Sequence, residues 1–63
     1  METENLKEKV INLLIAKIEG LPQTAYQLNL VTRINLSTCR QVLNGTWNPT
    51  WNTLIDMEAK YSK

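Results

Sequence analysis

The chain has 63 residues, which is enough for one small domain with a thin hydrophobic core. It contains no His and a single Cys, so it lacks the commonest general base, an internal disulfide and any multi-cysteine metal site. Seven basic and six acidic residues give a formal net charge of +1. We therefore expect a protein that is not an enzyme and that uses no cofactor or metal.

The apolar segments are too short to cross a membrane, and the first of them does not match a signal peptide. The segment VINLLIA, over residues 10–16, is interrupted by Asn12 and falls short of the roughly 20 apolar residues of a membrane-spanning helix. The charges that precede it are mixed, whereas a signal peptide begins with basic residues. We expect a cytoplasmic protein that does not contact a membrane.

The first predicted helix runs from about Thr3, as its N-cap, to Glu19, and Gly20 provides a left-handed stop. Its apolar residues cover more than half of the helix circumference: Leu6, Val10, Ile11, Leu13, Leu14, Ile15 and Ile18. A helix at the surface of a small domain usually has a narrower apolar stripe. The excess around Ile11 and Ile15 predicts either an enclosed helix or a surface that contacts a second copy of the chain.

Two short helices joined by a tight turn come next. Thr24 is the predicted N-cap of the second helix, which extends to about Val31 and faces the core with Leu28 and Val31. The turn contains the residues TRI. Asn35 is the predicted N-cap of the third helix, which ends at Gly45.

A fourth helix follows a proline. Pro49 cannot continue the third helix, because the residue before a proline is pushed to an extended conformation. Thr50 caps the next helix, whose apolar residues recur at helical spacing: Trp51, Leu54, Ile55 and Tyr61. This spacing predicts Trp51 in the core, with Trp47 as a cover over a loop. The sequence therefore predicts one all-α domain of four short helices over residues 1–63.

The third helix has a polar face without acidic residues. Four polar residues at i, i+3, i+4 and i+7 lie on one side of it: Ser37, Arg40, Gln41 and Asn44. None of the acidic residues lies between residues 20 and 55. Amide, hydroxyl and guanidinium groups match the donors and acceptors of DNA base edges, whereas phosphates repel a carboxylate. From the residues alone, DNA binding and an ordinary solvated face are about equally supported.

A series of positions between Thr24 and Tyr61 has the spacing of a known family: Thr24, Leu28, Ile34, Ser37, Thr38, Asn44, Gly45, Pro49, Thr53 and Leu54. In these positions the chain resembles the lambda-repressor-like (XRE/Cro) helix-turn-helix family. The resemblance implies four or five short helices, with the helix-turn-helix over about residues 24–44. It also implies a homodimer that binds operator DNA and represses transcription, as small phage and bacterial repressors do.

The resemblance implies roles for individual residues. Base edges in the major groove would be read by the helix over residues 35–44, through Leu36, Ser37, Arg40 and Gln41. Phosphates would be contacted by Thr24, Ala25, Asn44, Thr46, Trp47 and Asn48. Chemically, Arg40 suits guanine or a phosphate, and Gln41 suits adenine. The N–H groups at the start of the second helix suit a phosphate.

Three positions depart from the family pattern. Ala25 replaces a frequent Gln, Asn29 replaces a usual small residue, and Arg33 replaces a usual Gly at a position where φ is often positive. A residue other than Gly in the left-handed region costs on the order of 1 kcal/mol. These departures affect the angle between the two helices of the motif.

A second function is consistent with the sequence. The low net charge and the broad apolar surface of the first helix favour a protein-interaction module on a helix-turn-helix frame. Such a module would act as an antirepressor or as a subunit of another regulator protein, without binding DNA itself.

Overall fold

The computed structural model describes residues 2–62, and the side chains of residues 4–62. The residues it describes form four helices and no strand: α1 (Glu2–Ala16), α2 (Ala25–Thr32), α3 (Leu36–Asn44) and α4 (Trp51–Tyr61). This confirms the all-α class and the four helices predicted from the sequence. None of these helices is both long enough and apolar enough to span a membrane.

The limits of α1 differ slightly from the prediction. The helix begins at Glu2, so Thr3 lies in its first turn and is not the N-cap, and it ends at Ala16, before the predicted end. The N–H groups of residues 17–19 then donate to carbonyl oxygens three residues earlier, which is the tighter 3₁₀ pattern often found at helix ends. Gly20 has the predicted left-handed conformation, with a φ of 82°, but it lies four residues beyond the end of α1.

The core contains apolar side chains from all four helices and from two of the connections: Val10, Leu14, Ile18, Leu28, Cys39, Val42, Trp47 and Leu54. α1 packs mainly on α4, and α2 packs mainly on α3. An ion pair between Lys9 Nζ and Glu58 Oε2, at 2.8 Å, also joins α1 to α4. Because both side chains are partly exposed, this pair contributes no more than about 1 kcal/mol. Apolar packing therefore holds the helices together.

The two tryptophans occupy the opposite environments from those predicted. Trp47 is 5% exposed and belongs to the core, whereas Trp51 is 44% exposed, so its predicted place in the core is wrong. Trp51 lies about 60° around the helix axis from the buried Leu54, at the edge of the apolar face. The loop that carries Trp47 folds back onto α3, because the N–H groups of Thr46 and Trp47 both donate to the Gln41 carbonyl oxygen.

α2 also differs from the prediction at one core position. Leu28 is fully buried, but Val31 is 41% exposed and does not face the core. Thr32 takes its place at 6% exposure, and its hydroxyl donates to the Leu28 carbonyl oxygen at 2.6 Å. This bond satisfies the hydroxyl within an apolar environment. The Tyr61 hydroxyl donates to the Thr32 carbonyl oxygen at 3.1 Å and so ties the end of α4 to the end of α2.

Candidate functional site

α3 is capped at both ends, as the sequence predicted. The Asn35 Oδ1 accepts a hydrogen bond from the Ser37 N–H at 2.8 Å, which confirms Asn35 as the N-cap. Gly45 at the C-cap has a φ of 79°, and its N–H donates to the Gln41 carbonyl oxygen. The caps hold a short helix at a defined length, from Leu36 to Asn44.

The two sides of α3 have opposite character. Cys39 and Val42 are buried against the rest of the core. The predicted polar face is exposed along its whole length: Ser37, Arg40, Gln41 and Asn44. No other part of the described chain covers this face, so its donors and acceptors are accessible to a ligand outside the subunit.

The four predicted base-reading residues do not all have the same exposure. Ser37, Arg40 and Gln41 are exposed. Leu36, at the first position of α3, is half-buried, so only part of its side chain is available. The structure therefore places three polar groups and a partly covered methyl-bearing side chain on one helix.

The residues predicted to contact phosphates form two groups. One is at the start of α2, where Thr24 is exposed and Ala25 is half-buried against the core. The other is at the end of α3, where three residues are exposed: Asn44, Thr46 and Asn48. Trp47 is the exception in this second group. Its side chain lies in the core and its N–H is bonded to Gln41, which leaves it little surface for such a contact.

The start of α2 has the features of an anion-binding helix end. Thr24 is the N-cap, as predicted, because its Oγ1 accepts a hydrogen bond from the Gln27 N–H at 3.1 Å. The preceding N–H groups, those of Ala25 and Tyr26, have no carbonyl partner within the helix. Such groups favour a negative charge close to the helix end.

In the connection between α2 and α3, a residue other than glycine adopts the left-handed backbone conformation. Arg33 has φ 65° and ψ 14°, and its N–H donates to the Asn29 carbonyl oxygen at 2.9 Å. Arginine in this conformation costs on the order of 1 kcal/mol relative to glycine. Arg33 therefore has the positive φ that the family resemblance led us to expect at this position.

Four side chains stabilise this connection, and we call them the turn brace: Asn29, Thr32, Cys39 and Tyr61. Asn29 Nδ2 donates to the Ile34 carbonyl oxygen at 2.6 Å, and the Cys39 thiol donates to the same oxygen at 3.5 Å. Thr32 Oγ1 accepts from the Ile34 N–H at 3.3 Å. With Tyr61 bound to the Thr32 carbonyl oxygen, three helices contribute to one turn. Apart from the unusual amide at position 29, nothing in the amino-acid pattern predicts this brace.

The single cysteine is part of this packing. Cys39 is fully buried. Burial raises the pKa of its thiol, and the hydrogen bonds of the thiol only partly oppose this effect. A buried cysteine with a raised pKa is a poor nucleophile, so it acts as a small apolar side chain.

Three surface depressions of the described residues lie along α1 or just after it, and no residue of α3 lines them. One of about 410 Å³ lies along α1 and is open to solvent; it is lined by Asn5, Glu8, Lys9, Asn12 and Leu13. Among the side chains of residues 4–62, no three His, Cys, Asp or Glu residues come together in a way that could hold a metal ion.

No protein-family model, curated protein or solved structure matches this chain. The features that bear on function are the exposed polar face of α3, the start of α2 and the turn between the two helices.

Proposed function

We propose that this protein is a sequence-specific regulator that binds double-stranded DNA, with α3 as the helix that enters the major groove. The main support is the exposed face of α3, which carries amide, hydroxyl and guanidinium groups and no carboxylate. α2 packs against α3 and is joined to it by residues 33–35. This pairing supports a helix-turn-helix of the lambda-repressor-like type, in which the second helix would read the DNA. The cellular role would be repression of transcription at an operator, in the cytoplasm.

The side chains of α3 match the chemistry of base edges. Arg40 can donate two hydrogen bonds to the O6 and N7 atoms of guanine, and Gln41 can pair with the N6 and N7 atoms of adenine. The Ser37 hydroxyl can donate or accept, and the accessible part of Leu36 suits a thymine methyl group. Each good bidentate contact gives about 1–3 kcal/mol of discrimination against the wrong base.

Contacts with the phosphates would fix the orientation of α3. The free N–H groups at the start of α2 suit one phosphate, and the exposed polar residues after α3 suit another: Asn44, Thr46 and Asn48. Arg33 and Arg40 are the basic residues between positions 20 and 55, where no acidic residue opposes them. With so few cations, the affinity for DNA should depend only modestly on salt concentration.

We further propose that the protein binds as a homodimer. A single module of this size buries too little surface for tight, specific binding. Two copies related by a two-fold axis would place their α3 helices in successive major grooves, about 34 Å apart. The operator would then contain two half-sites separated by one helical turn.

Selection of bound duplexes from a random pool tests the proposal. The wild-type protein should enrich duplexes that share one half-site sequence. The variant R40A/Q41A should bind the enriched duplex at least about 30-fold more weakly, since it lacks both bidentate contacts. The variant N5A/N12A, which removes two exposed amides from α1, is the matched control and should bind like the wild type. A protein that binds every duplex equally at moderate salt would contradict the proposal.

An interaction module without DNA binding is the second candidate, and the surface of α2 favours it. Tyr26 and Leu30 are 69% and 64% exposed and lie one helical turn apart. Large apolar side chains exposed in this way often mark a protein-binding surface. An antirepressor or a subunit of another regulator would use this surface. In that case Y26S/L30S would lose the complex with the partner, while neither this variant nor the wild type would bind DNA.

A further inference from the structure

Both main-chain polar groups of Ile34, two residues before the start of α3, are bound by side chains of α2. Asn29 Nδ2 donates to its carbonyl oxygen at 2.6 Å, and Thr32 Oγ1 accepts from its N–H at 3.3 Å. We propose that Asn29 is a positioning residue for base reading: it holds the first turn of α3 at the angle to α2 that base discrimination requires, without touching the DNA. The inference rests on the proposed function, since it concerns the helix proposed to enter the major groove.

The amide of Asn29 is engaged within the protein. Its side chain is half-buried, and its Nδ2 makes the 2.6 Å bond to the Ile34 carbonyl oxygen. The same oxygen accepts from one further donor, the Cys39 thiol, at the longer distance of 3.5 Å. Because a thiol is a weak donor, the amide constrains this oxygen more strongly. A change at position 29 should therefore affect DNA binding through the backbone of Ile34.

Apolar packing alone defines the angle of α3 only coarsely. The buried side chains of α3 are small, namely Cys39 and Val42. Packed helices scatter by about 15–20° around the preferred crossing angles, so packing of ridges into grooves tolerates a range of angles. A hydrogen bond is more exacting, because it weakens once the donor–acceptor distance exceeds about 3.2 Å. The polar contacts at Ile34 therefore specify the angle more narrowly than the packing does.

Backbone strain in the connection provides a reason for α3 to move once the amide is lost. Arg33 has a left-handed φ of 65°, a conformation that strains any residue other than glycine. Asn29 binds the connection at two consecutive residues: its carbonyl oxygen accepts from the Arg33 N–H at 2.9 Å, and its side chain donates to Ile34. Alanine at position 29 would keep the first bond and lose the second. Arg33 could then relax, and the start of α3 would shift with it.

The two ends of α3 should respond differently to this loss. The end near Gln41 is anchored independently, because its carbonyl oxygen accepts from the N–H groups of Gly45, Thr46 and Trp47, and Trp47 lies in the core. α3 should therefore pivot about this end. Ser37 lies about 6 Å from Gln41 along the helix axis, so a tilt of about 10° displaces it by about 1 Å. Such a displacement is enough to break a hydrogen bond from its hydroxyl to a base.

Base discrimination by single variants tests this inference. We define discrimination as the dissociation constant for a scrambled duplex divided by that for the duplex enriched in the selection, at one salt concentration. Because unfolded protein binds neither duplex, a loss of stability alone leaves this ratio unchanged. N29A should lower the ratio at least about 3-fold, as expected for one lost hydrogen bond. N12A, which removes an exposed amide from α1, is the matched control and should keep the wild-type ratio.

Double-mutant cycles locate the effect on α3. If Asn29 acts by placing Ser37, N29A/S37A should discriminate little worse than the weaker of the two single variants. N29A/Q41A should instead show the product of the two separate losses, because Gln41 lies at the anchored end. Multiplicative losses with S37A would overturn the inference, as would equal coupling to both positions.

An unchanged ratio in folded N29A would also overturn the inference. If N29A proves unfolded by circular dichroism, T32V replaces it, because valine preserves the shape of the buried side chain and removes the bond to the Ile34 N–H. The ratio should then fall in the same direction, and an unchanged ratio has the same meaning as for N29A. Failure of the proposed function is seen separately, as a wild type that binds the scrambled and the enriched duplex equally.

Residual dipolar couplings measured by NMR without DNA test the positioning independently of the proposed function. In N29A, the couplings of the α3 N–H groups should fit a helix rotated by about 10° or more against α2, within the range that helix packing tolerates. In N12A they should fit the wild-type orientation. Wild-type orientation of α3 in N29A would overturn the inference, even if the variant discriminates poorly between duplexes.

Discussion

The two connections that flank α3 are stabilised in different ways. The turn before α3 depends on side chains from three helices, which bind the main-chain groups of Thr32 and Ile34. The loop after α3 depends on main-chain N–H groups that converge on the Gln41 carbonyl oxygen, and on the burial of Trp47. The orientation of α3 thus depends on particular side-chain amides and hydroxyls at one end. At the other end it depends on main-chain geometry and one large apolar side chain.

The largest effect should come from the loop after α3. Trp47→Ala removes a 5% exposed indole from the core and should lower the free energy of unfolding by about 3–5 kcal/mol. A chain of this size has a small stability margin, so this variant should be largely unfolded at 37 °C. Urea denaturation followed by circular dichroism measures the change. Trp51→Ala is the matched control, and a loss as large as that of Trp47→Ala would contradict the assignment of the core.

The turn brace should give an intermediate effect. Asn29→Ala removes the 2.6 Å hydrogen bond to the Ile34 carbonyl oxygen and leaves that oxygen with only the weak thiol donor of Cys39. The loss of a partly buried bond of this kind lowers the free energy of unfolding by about 1–2 kcal/mol. Hydrogen exchange at residues 33 and 34 should accelerate as well. Asn12→Ala, at an exposed position of α1, should change neither measurement; an unchanged unfolding free energy for Asn29→Ala would show that the brace is not needed.

Two substitutions, one that introduces a glycine before α3 and one that removes the glycine after it, compare the two connections directly. Arg33 and Gly45 have similar left-handed φ values, 65° and 79°. Arg33→Gly should raise the free energy of unfolding by about 0.5 kcal/mol, because relief of the strain exceeds the entropy that glycine adds to the unfolded chain. Gly45→Ala should lower it by about 1 kcal/mol, although space for a methyl group is available. Thermal melts of the two variants should shift in opposite directions, and shifts of the same sign would contradict this account.

The smallest effect is a pH dependence of the free energy of unfolding that arises from Cys39 in the turn brace. Because burial raises the pKa of this thiol, the unfolded chain loses the thiol proton at a lower pH than the folded chain does. The contribution of Cys39 to stability is therefore complete below the ordinary thiol pKa of about 8.5 and is lost as the pH rises above it. Denaturation at pH 7, 9 and 10 should show a steeper decline for the wild type than for Cys39→Ala. Parallel declines would contradict the assignment.

Local features of the fold could be predicted from the sequence because local chemistry determines them. Thr24, Asn35 and Thr50 each cap a helix, as their positions before helical segments indicated. Gly20 and Gly45 adopt the left-handed conformation that a helix stop favours. The exposed polar face of α3 was also predictable, since helical spacing determines which residues share a side.

Features that depend on tertiary contacts could not be predicted in this way. Spacing places Trp51 on the apolar side of α4 but does not show whether it lies at the centre or at the edge of that side. The burial of Trp47 depends on how the loop folds back onto α3. The bond between Tyr61 and Thr32 joins residues 29 positions apart. Contacts with bases and phosphates involve a partner outside the chain, so they remain proposals.

The backbone and the side chain of Gln41 have different roles. Its carbonyl oxygen accepts hydrogen bonds from the N–H groups of Gly45, Thr46 and Trp47, whereas its side chain is exposed. Replacing this side chain alters the outward chemistry of α3 and removes none of the three bonds that hold the loop. Randomising position 41 should therefore yield folded library members at high frequency, which makes this residue a practical entry point for varying the exposed chemistry of α3.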